Sequence, residues 1–214
     1  MSRKRVAVLI SGRGSNMRSL VSAARAADYP AEIALVLSNK ADAGGLAFAR
    51  EQGIATAVID HKAFKAREDF ERAMQVELEK HKIDLICLAG FMRVLTSWFV
   101  AQWSGRMINI HPALLPSYRG LHTHERALAD GVKIHGCTVH FVVPEMDEGP
   151  VIAQAAVPVR DADTPETLGA RVLEQEHVLY PMALRHVAAG GLTIDGNRVK
   201  GAGDAAGALV SPPA

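Results

Sequence analysis

The run Asn109-Ile110-His111-Pro112 brings together the residue types best suited to chemistry at a carbonyl carbon. Alternation along a strand about to end puts Ile108 and Ile110 on one face and Asn109 and His111 on the other. An amide donor beside an imidazole can hold a developing oxyanion and handle a proton, as acyl transfer requires. The same pair could instead anchor the following loop, with His111 a satisfied structural histidine, and the residues alone weigh both about evenly. Downstream, Glu145, Asp147 and Glu148 crowd three carboxylates into the turn at 145–150, and one of them could orient His111. Charge runs are more often solvated faces, and nothing in the spacing brings this turn to the histidine.

A second feature is Ser11-Gly12-Arg13-Gly14-Ser15-Asn16, set between an apolar run and a segment of helical character. Free backbone donors and the helix dipole favour a phosphate there. Met17 replaces the third glycine of the dinucleotide fingerprint and the Gly-Lys-Ser/Thr of a P-loop is absent, so an ordinary tight turn competes closely. His122 and His124 sit two apart, but with no cysteine or clustered carboxylate at ligand spacing no metal is expected. Phe91-Met92-Arg93 reads either as an apolar slot with a cation at its mouth or as a helix start.

The elements that must position these residues are an alternation of short apolar runs and amphipathic stretches. Strands are expected at 6–10, 33–37, 57–59 and 85–89. Ser15 is expected to cap the first helix, which continues through Met17, Leu20 and Val21. Phe70, Met74 and Leu78 at spacing four mark an amphipathic helix within 64–82. This alternation predicts an α/β fold with a mostly parallel central sheet, helices on both faces, and ligands beyond the strands' carboxyl ends. After a loop at 112–123, strands near 137–143 and 151–159 are expected in mixed directions. A long helix should start near Pro165, with Leu168, Val172, Leu179, Met182 and Val187 on one side and a kink at Pro181. Residues 1–200 read as one domain, and 201–214, rich in Gly, Ala and Pro, as a loosely held tail.

Composition limits the partners. The 214 residues are 49% apolar, enough for a sizeable core, and 24 Lys and Arg balance 23 Asp and Glu. No bulk charge would draw the chain to nucleic acid or an anionic membrane, so any anion must be caught locally. No run approaches the ~18 apolar residues of a membrane span, and the basic start lacks the features of a signal peptide. Cys87 and Cys137, both among apolar neighbours, read as buried free thiols, which suits a cytoplasmic setting.

Taken together, Ser-Gly-x-Gly-Ser-Asn at 11–16, Ser-Asn-Lys-Ala-Asp at 38–42, Ala-Gly-Phe-Met-Arg at 89–93, Asn-Ile-His-Pro at 109–112 and Gly-Leu-His-Thr-His at 120–124 resemble the phosphoribosylglycinamide formyltransferase family. The likeness continues through Asp147-Glu148-Gly149-Pro150-Val151-Ile152 and Gln175-Glu176-His177, covering roughly residues 5–195. It implies a Rossmann-like formyltransferase fold and direct transfer of a formyl group from 10-formyltetrahydrofolate, a co-substrate, to the amine of glycinamide ribonucleotide in de novo purine biosynthesis, without metal. It also implies that Asn109, His111 and Asp147 are catalytic, with Asp147 keeping His111 protonated or helping to remove the amine proton. Gly14, Ser15, Asn16, Leu173, Glu174, Gln175 and Glu176 would hold the ribonucleotide. Arg67, Met92, Arg93, Val94, Leu95, Asn109, Val143, Pro144, Glu145, Met146 and Asp147 would hold the folate.

Two positions depart from the family pattern: Arg13, where a neutral residue is common, and Glu148, where Gly is common. Residues 112–120 also resemble, more narrowly, the methionyl-tRNA formyltransferases, which would want an added nucleic-acid-binding domain. A formyltetrahydrofolate deformylase would use a similar centre behind a regulatory domain, whereas the first strand here is expected from residue 5. A non-catalytic folate or nucleotide binder would not need Asn109, His111 and Asp147 intact. Small-molecule partners are expected, with monomer and homodimer both open.

Overall fold

A computed structural model describes residues 3–201. The expected tail at 201–214 lies outside them except for its first residue. In chain order the elements are β1 (Lys4–Ile10), α1 (Ser15–Ala23), β2 (Ala31–Ser38), α2 (Gly44–Glu51), β3 (Ala55–Val58), α3 (Arg67–Lys80), β4 (Leu85–Leu88), α4 (Ser97–Gln102), β5 (Met107–His111), α5 (Thr123–Ala129), β6 (Ile134–Phe141), β7 (Val151–Pro158), α6 (Pro165–Ala189), β8 (Thr193–Asp195) and β9 (Arg198–Lys200). One sheet takes the order β3-β2-β1-β4-β5-β6-β7-β9-β8. The first five strands are mutually parallel, whereas β6 runs antiparallel to β5 and to β7. The mostly parallel sheet and the change of direction after Asn109 are therefore as expected.

Period-two alternation in β1 sorts the core into two layers. Val6, Val8 and Ile10 pack with Met17, Leu46, Leu168, Val172 and Leu184, from α1, α2 and α6. Ala7 and Leu9 face the other way, toward Phe70, Met74, Leu78 and Phe99 of α3 and α4. Burying each of those large side chains stabilises the fold by about 1.5–3 kcal/mol. The order of the strands reverses between β1 and β4, and in such sheets the crevice above that point is where ligands bind.

Several local expectations are corrected. Gly14, not Ser15, occupies the cap of α1, in the left-handed region at φ 72°, and no side chain caps the helix. A Cβ at Gly14 would also meet the flexible end of Met17, Cε, at 2.9 Å, but it is the positive φ that favours glycine here. Phe91, Met92 and Arg93 do not begin a helix, because α4 starts only after Thr96, whose side chain caps it. Met182, expected on the apolar side of α6, is exposed, while Tyr180, Ala183 and Leu184 take the buried side; Pro181 lies inside the helix, which runs on to Ala189. The Tyr180 hydroxyl sits 3.0 Å from the Leu88 carbonyl and 3.1 Å from that of Ile108, pinning β4 to β5 just below Asn109.

Candidate functional site

Four polar side chains meet where β5 ends. Asn109 and His111 project from β5, as their spacing predicted, and the turn at 145–150 folds back so that Asp147 reaches them. His111 Nε2 donates to the Tyr118 carbonyl at 2.8 Å, leaving Nδ1 to face Asp147 Oδ2 at 3.4 Å. With Nε2 carrying that proton, Nδ1 is the nitrogen able to gain or lose one. Asp147 is half-buried beside it and steadied by the Gly120 N–H, which donates to Oδ2 at 2.8 Å. Both Tyr118 and Asp147 hold positive φ, 56° each, an uncommon conformation for residues with a Cβ. Gly149 explains how the turn closes: a Cβ there would overlap the Phe141 carbonyl oxygen.

The fourth side chain, His140, was not anticipated from sequence. It lies in β6 directly opposite Asn109, at a register irregularity of the kind that re-aims side chains. His140 Nδ1 donates to the Phe141 carbonyl at 2.9 Å, so Nε2 accepts from the Asn109 amide at 3.3 Å. Burial lowers the pKa of His140, against the opposing pull of the Phe141 bond and Asp147, and keeps it neutral and accepting. Asn109 is thereby fixed with one amide hydrogen committed and the other free. The only sequence signal for His140 was a histidine inside an otherwise apolar run.

Two clefts open elsewhere in the structure. One, of about 170 Å³, is lined by Gly12, Arg13, Gly14, Ser15, Asn16, Ala89 and Gly90, at the sheet's switch point. The first helical bond of α1 goes from Arg18 N–H to the Gly14 carbonyl, so the amides of Ser15, Asn16 and Met17 precede it and remain available to an anion. Asn16 Nδ2 donates to Glu176 Oε2 at 2.7 Å, while Asn16 Oδ1 is buried without a partner among the described residues. Burial raises the pKa of Glu176, partly offset by that bond. Leu173 and Gln175 are half-buried nearby on α6, but Glu174 is exposed, and two residues before Glu176 at ~100° per residue sets it on the far side of the helix.

The second cleft, of about 300 Å³, is lined by His61, Phe64, Lys65, Ala66, Arg67, Phe70 and Arg93. Arg93 Nε is buried there without a partner among the described residues. Met92 and Val94 are exposed and Leu95 is buried, while Val143, Pro144, Glu145 and Met146 form the outer rim of the Asp147 turn, with Met146 exposed. Glu148 pairs with Arg119 and so points away from His111. His122 Nδ1 lies 3.3 Å from Glu125 Oε1, while His124 Nδ1 lies 3.1 Å from His135 Nε2. Among the described residues no group of three or more His, Cys, Asp or Glu is placed to hold a metal, and no helix is long and apolar enough to cross a membrane. Cys87 and Cys137 are free and buried, and burial pushes both thiols up to about 12.

With this geometry in place, comparison with known proteins is direct. Residues 4–184 match the model of the formyl transferase family. The chain is 46% identical over 192 residues to phosphoribosylglycinamide formyltransferase of Escherichia coli, covering 90% of this chain and 91% of that one. It is 50% identical over 193 residues to the human trifunctional purine biosynthetic protein adenosine-3, covering 90% of this chain but only 19% of that longer protein. The crystal structure of phosphoribosylglycinamide formyltransferase from Brucella melitensis superposes with a TM-score of 0.85 at 57% identity, covering 88% of this chain and 97% of that one.

Proposed function

Because the chain belongs to the formyl transferase family, we propose that it transfers the formyl group of 10-formyltetrahydrofolate to the amine of glycinamide ribonucleotide, a step of de novo purine biosynthesis. The products are formylglycinamide ribonucleotide and tetrahydrofolate. One observation carries this reading: Asn109, His111 and Asp147 converge at the end of β5, in a structure that also holds a glycine-lined cleft suited to a phosphate and a cationic cleft suited to a carboxylate-bearing co-substrate. The names of the E. coli and B. melitensis relatives support the same substrate.

In this mechanism the ribonucleotide's phosphate lies on the start of α1, with Glu176 further along the same molecule. Its amine attacks the formyl carbon. The oxygen that becomes negative is met by the free amide hydrogen of Asn109, held in place by His140, and by the imidazole of His111, held in place by the Tyr118 carbonyl. Asp147 stabilises the imidazolium and takes part in removing the amine proton. As the tetrahedral intermediate collapses, the bond to folate nitrogen breaks and that nitrogen recovers a proton. Arg67 and Arg93 hold the acidic tail of the folate, with Met92, Val94, Leu95 and the 143–147 turn against its rings. We further read residues 1–200 as one domain and the setting as cytoplasmic, in keeping with two buried free thiols.

A spectroscopic turnover assay with both substrates tests the reading against wild type and His111→Ala. Folate consumption that requires both ribonucleotide and His111 is expected. Consumption without ribonucleotide would make the chain a deformylase, and none under any condition would make it a binding protein.

A further inference from the structure

The Ser38-Asn39-Lys40-Ala41-Asp42 run has no part in the chemistry above, and Asn39 lines neither cleft. Yet Asn39 and Ser38 are fully buried polar residues. Burying an amide is costly unless its hydrogen bonds are made, so the partners of Asn39 define its purpose. Its Oδ1 accepts from the Ser11 hydroxyl at 2.6 Å, and Ser11 Oγ in turn accepts from the Met92 N–H at 2.8 Å. The Ser11 N–H also donates to the Gly90 carbonyl at 3.2 Å. On its other side, Asn39 contacts His61 Nδ1, at 3.2 Å from Nδ2 and 3.3 Å from its own carbonyl oxygen. The brace is completed by Gly45 N–H, which donates to the Gly12 carbonyl at 3.1 Å.

The direction of these bonds is what gives them consequence. Ser11 has one hydroxyl proton, and Asn39 takes it, so toward Met92 the oxygen can only accept. Ser11 begins the glycine-rich loop after β1, Met92 belongs to the segment after β4, and His61 lines the cationic cleft. One hydrogen-bonded chain, buried at its Ser11–Asn39 link, therefore joins both walls of the switch-point crevice to the second cleft. We propose that Ser11 and Asn39 are positioning residues that tie the order of segment 90–95 to that of the glycine-rich loop, so that filling the first cleft readies the second. The proposal rests on the functional reading above for the identity of the two ligands.

The test is NMR-detected hydrogen exchange on the full chain, with and without glycinamide ribonucleotide, in wild type, Ser11→Ala and Ser11→Thr. Ribonucleotide should slow exchange at the Met92 amide about tenfold in wild type and Ser11→Thr, and hardly at all in Ser11→Ala, the range expected for coupling through one network. Protection of residues 12–16 should persist in all three. In turnover, Ser11→Ala should raise KM for 10-formyltetrahydrofolate about tenfold while kcat stays within about threefold, and Ser11→Thr should recover it. Asn39→Ala should behave like Ser11→Ala, and if it does not fold, the Ser11 variants carry the test. Protection at 12–16 with none at Met92 in wild type overturns the relay and leaves the functional reading standing. Equal Met92 protection in wild type and Ser11→Ala does the same. No protection at either segment overturns both.

Discussion

Asn109 and His140 form a unit in which one residue acts and the other aims it. Removing an oxyanion donor typically costs about a hundred- to a thousandfold in turnover, which is the expected loss in kcat for Asn109→Ala. A loss below about tenfold would take Asn109 out of that role. His140→Ala leaves the donor present but unaimed, with an expected loss of up to about a hundredfold, since small misplacements are that expensive. If His140 acts only through Asn109, the double variant should be no slower than Asn109→Ala alone, whereas multiplying losses would give His140 a separate task. The Asn109 and His111 pair was legible because alternation in a strand is a local property. Asp147 was not separable from its acidic neighbours, because only the folded turn sends Glu148 to Arg119 and Asp147 to the histidines. His140 was invisible because its role comes from cross-strand register, which no spacing along the chain encodes.

At the scale of elements, α6 carries a conflict between stability and binding. Burial raises the pKa of Glu176, so its folded state favours the protonated form. Such a group stabilises the fold fully below its ordinary range and progressively less as pH rises through its raised folded value. Glu176→Gln keeps an acceptor for Asn16 Nδ2 and removes the charge. Its melting temperature at pH 7 should rise, by about 2–4 °C for each kcal/mol gained, with the gain shrinking toward pH 4. The same variant should raise KM for the ribonucleotide about tenfold or more, because a bond to a charged group is lost. A variant neither more stable nor weaker in binding would contradict the placement of Glu176. Gly149→Ala is expected to act through the turn, displacing Asp147 to relieve the overlap with Phe141 and lowering kcat at least about tenfold. β1, β2 and α3 were readable because each buries a periodic set of apolar residues. The cap of α1 was not, since a left-handed Gly14 does with backbone geometry what Ser15 was expected to do with a side chain. The short strands β8 and β9 carry no periodic signal, and Ile194 remains exposed.

For the molecule as a whole, the buried histidines set the acid limit. Burial lowers the pKa of His124, His135, His140 and His177 together, with His135 at about 4. His124 and His135 add mutual repulsion, since their ring nitrogens lie 3.1 Å apart and a charge on one opposes a charge on the other. A lowered folded value means the unfolded chain binds more protons, so stability is complete above the ordinary histidine value of 6.5 and is lost as pH falls toward 4. Each additional proton bound by the unfolded chain steepens that loss by about 1.4 kcal/mol per pH unit. Asp163, whose bonds from Arg171 hold it well below the usual carboxylate range, has the same sign but acts only at still lower pH. Glu176 has the opposite sign and offsets part of the loss. Four histidines against one carboxylate leave a net fall, and urea midpoints at pH 7.5, 6 and 5 should decline progressively. His135→Gln should flatten that decline, because it removes both the largest histidine shift and the partner of His124. Midpoints that hold steady to pH 5 in the wild type would mean that these histidines find solvent or acceptors that the folded arrangement does not show.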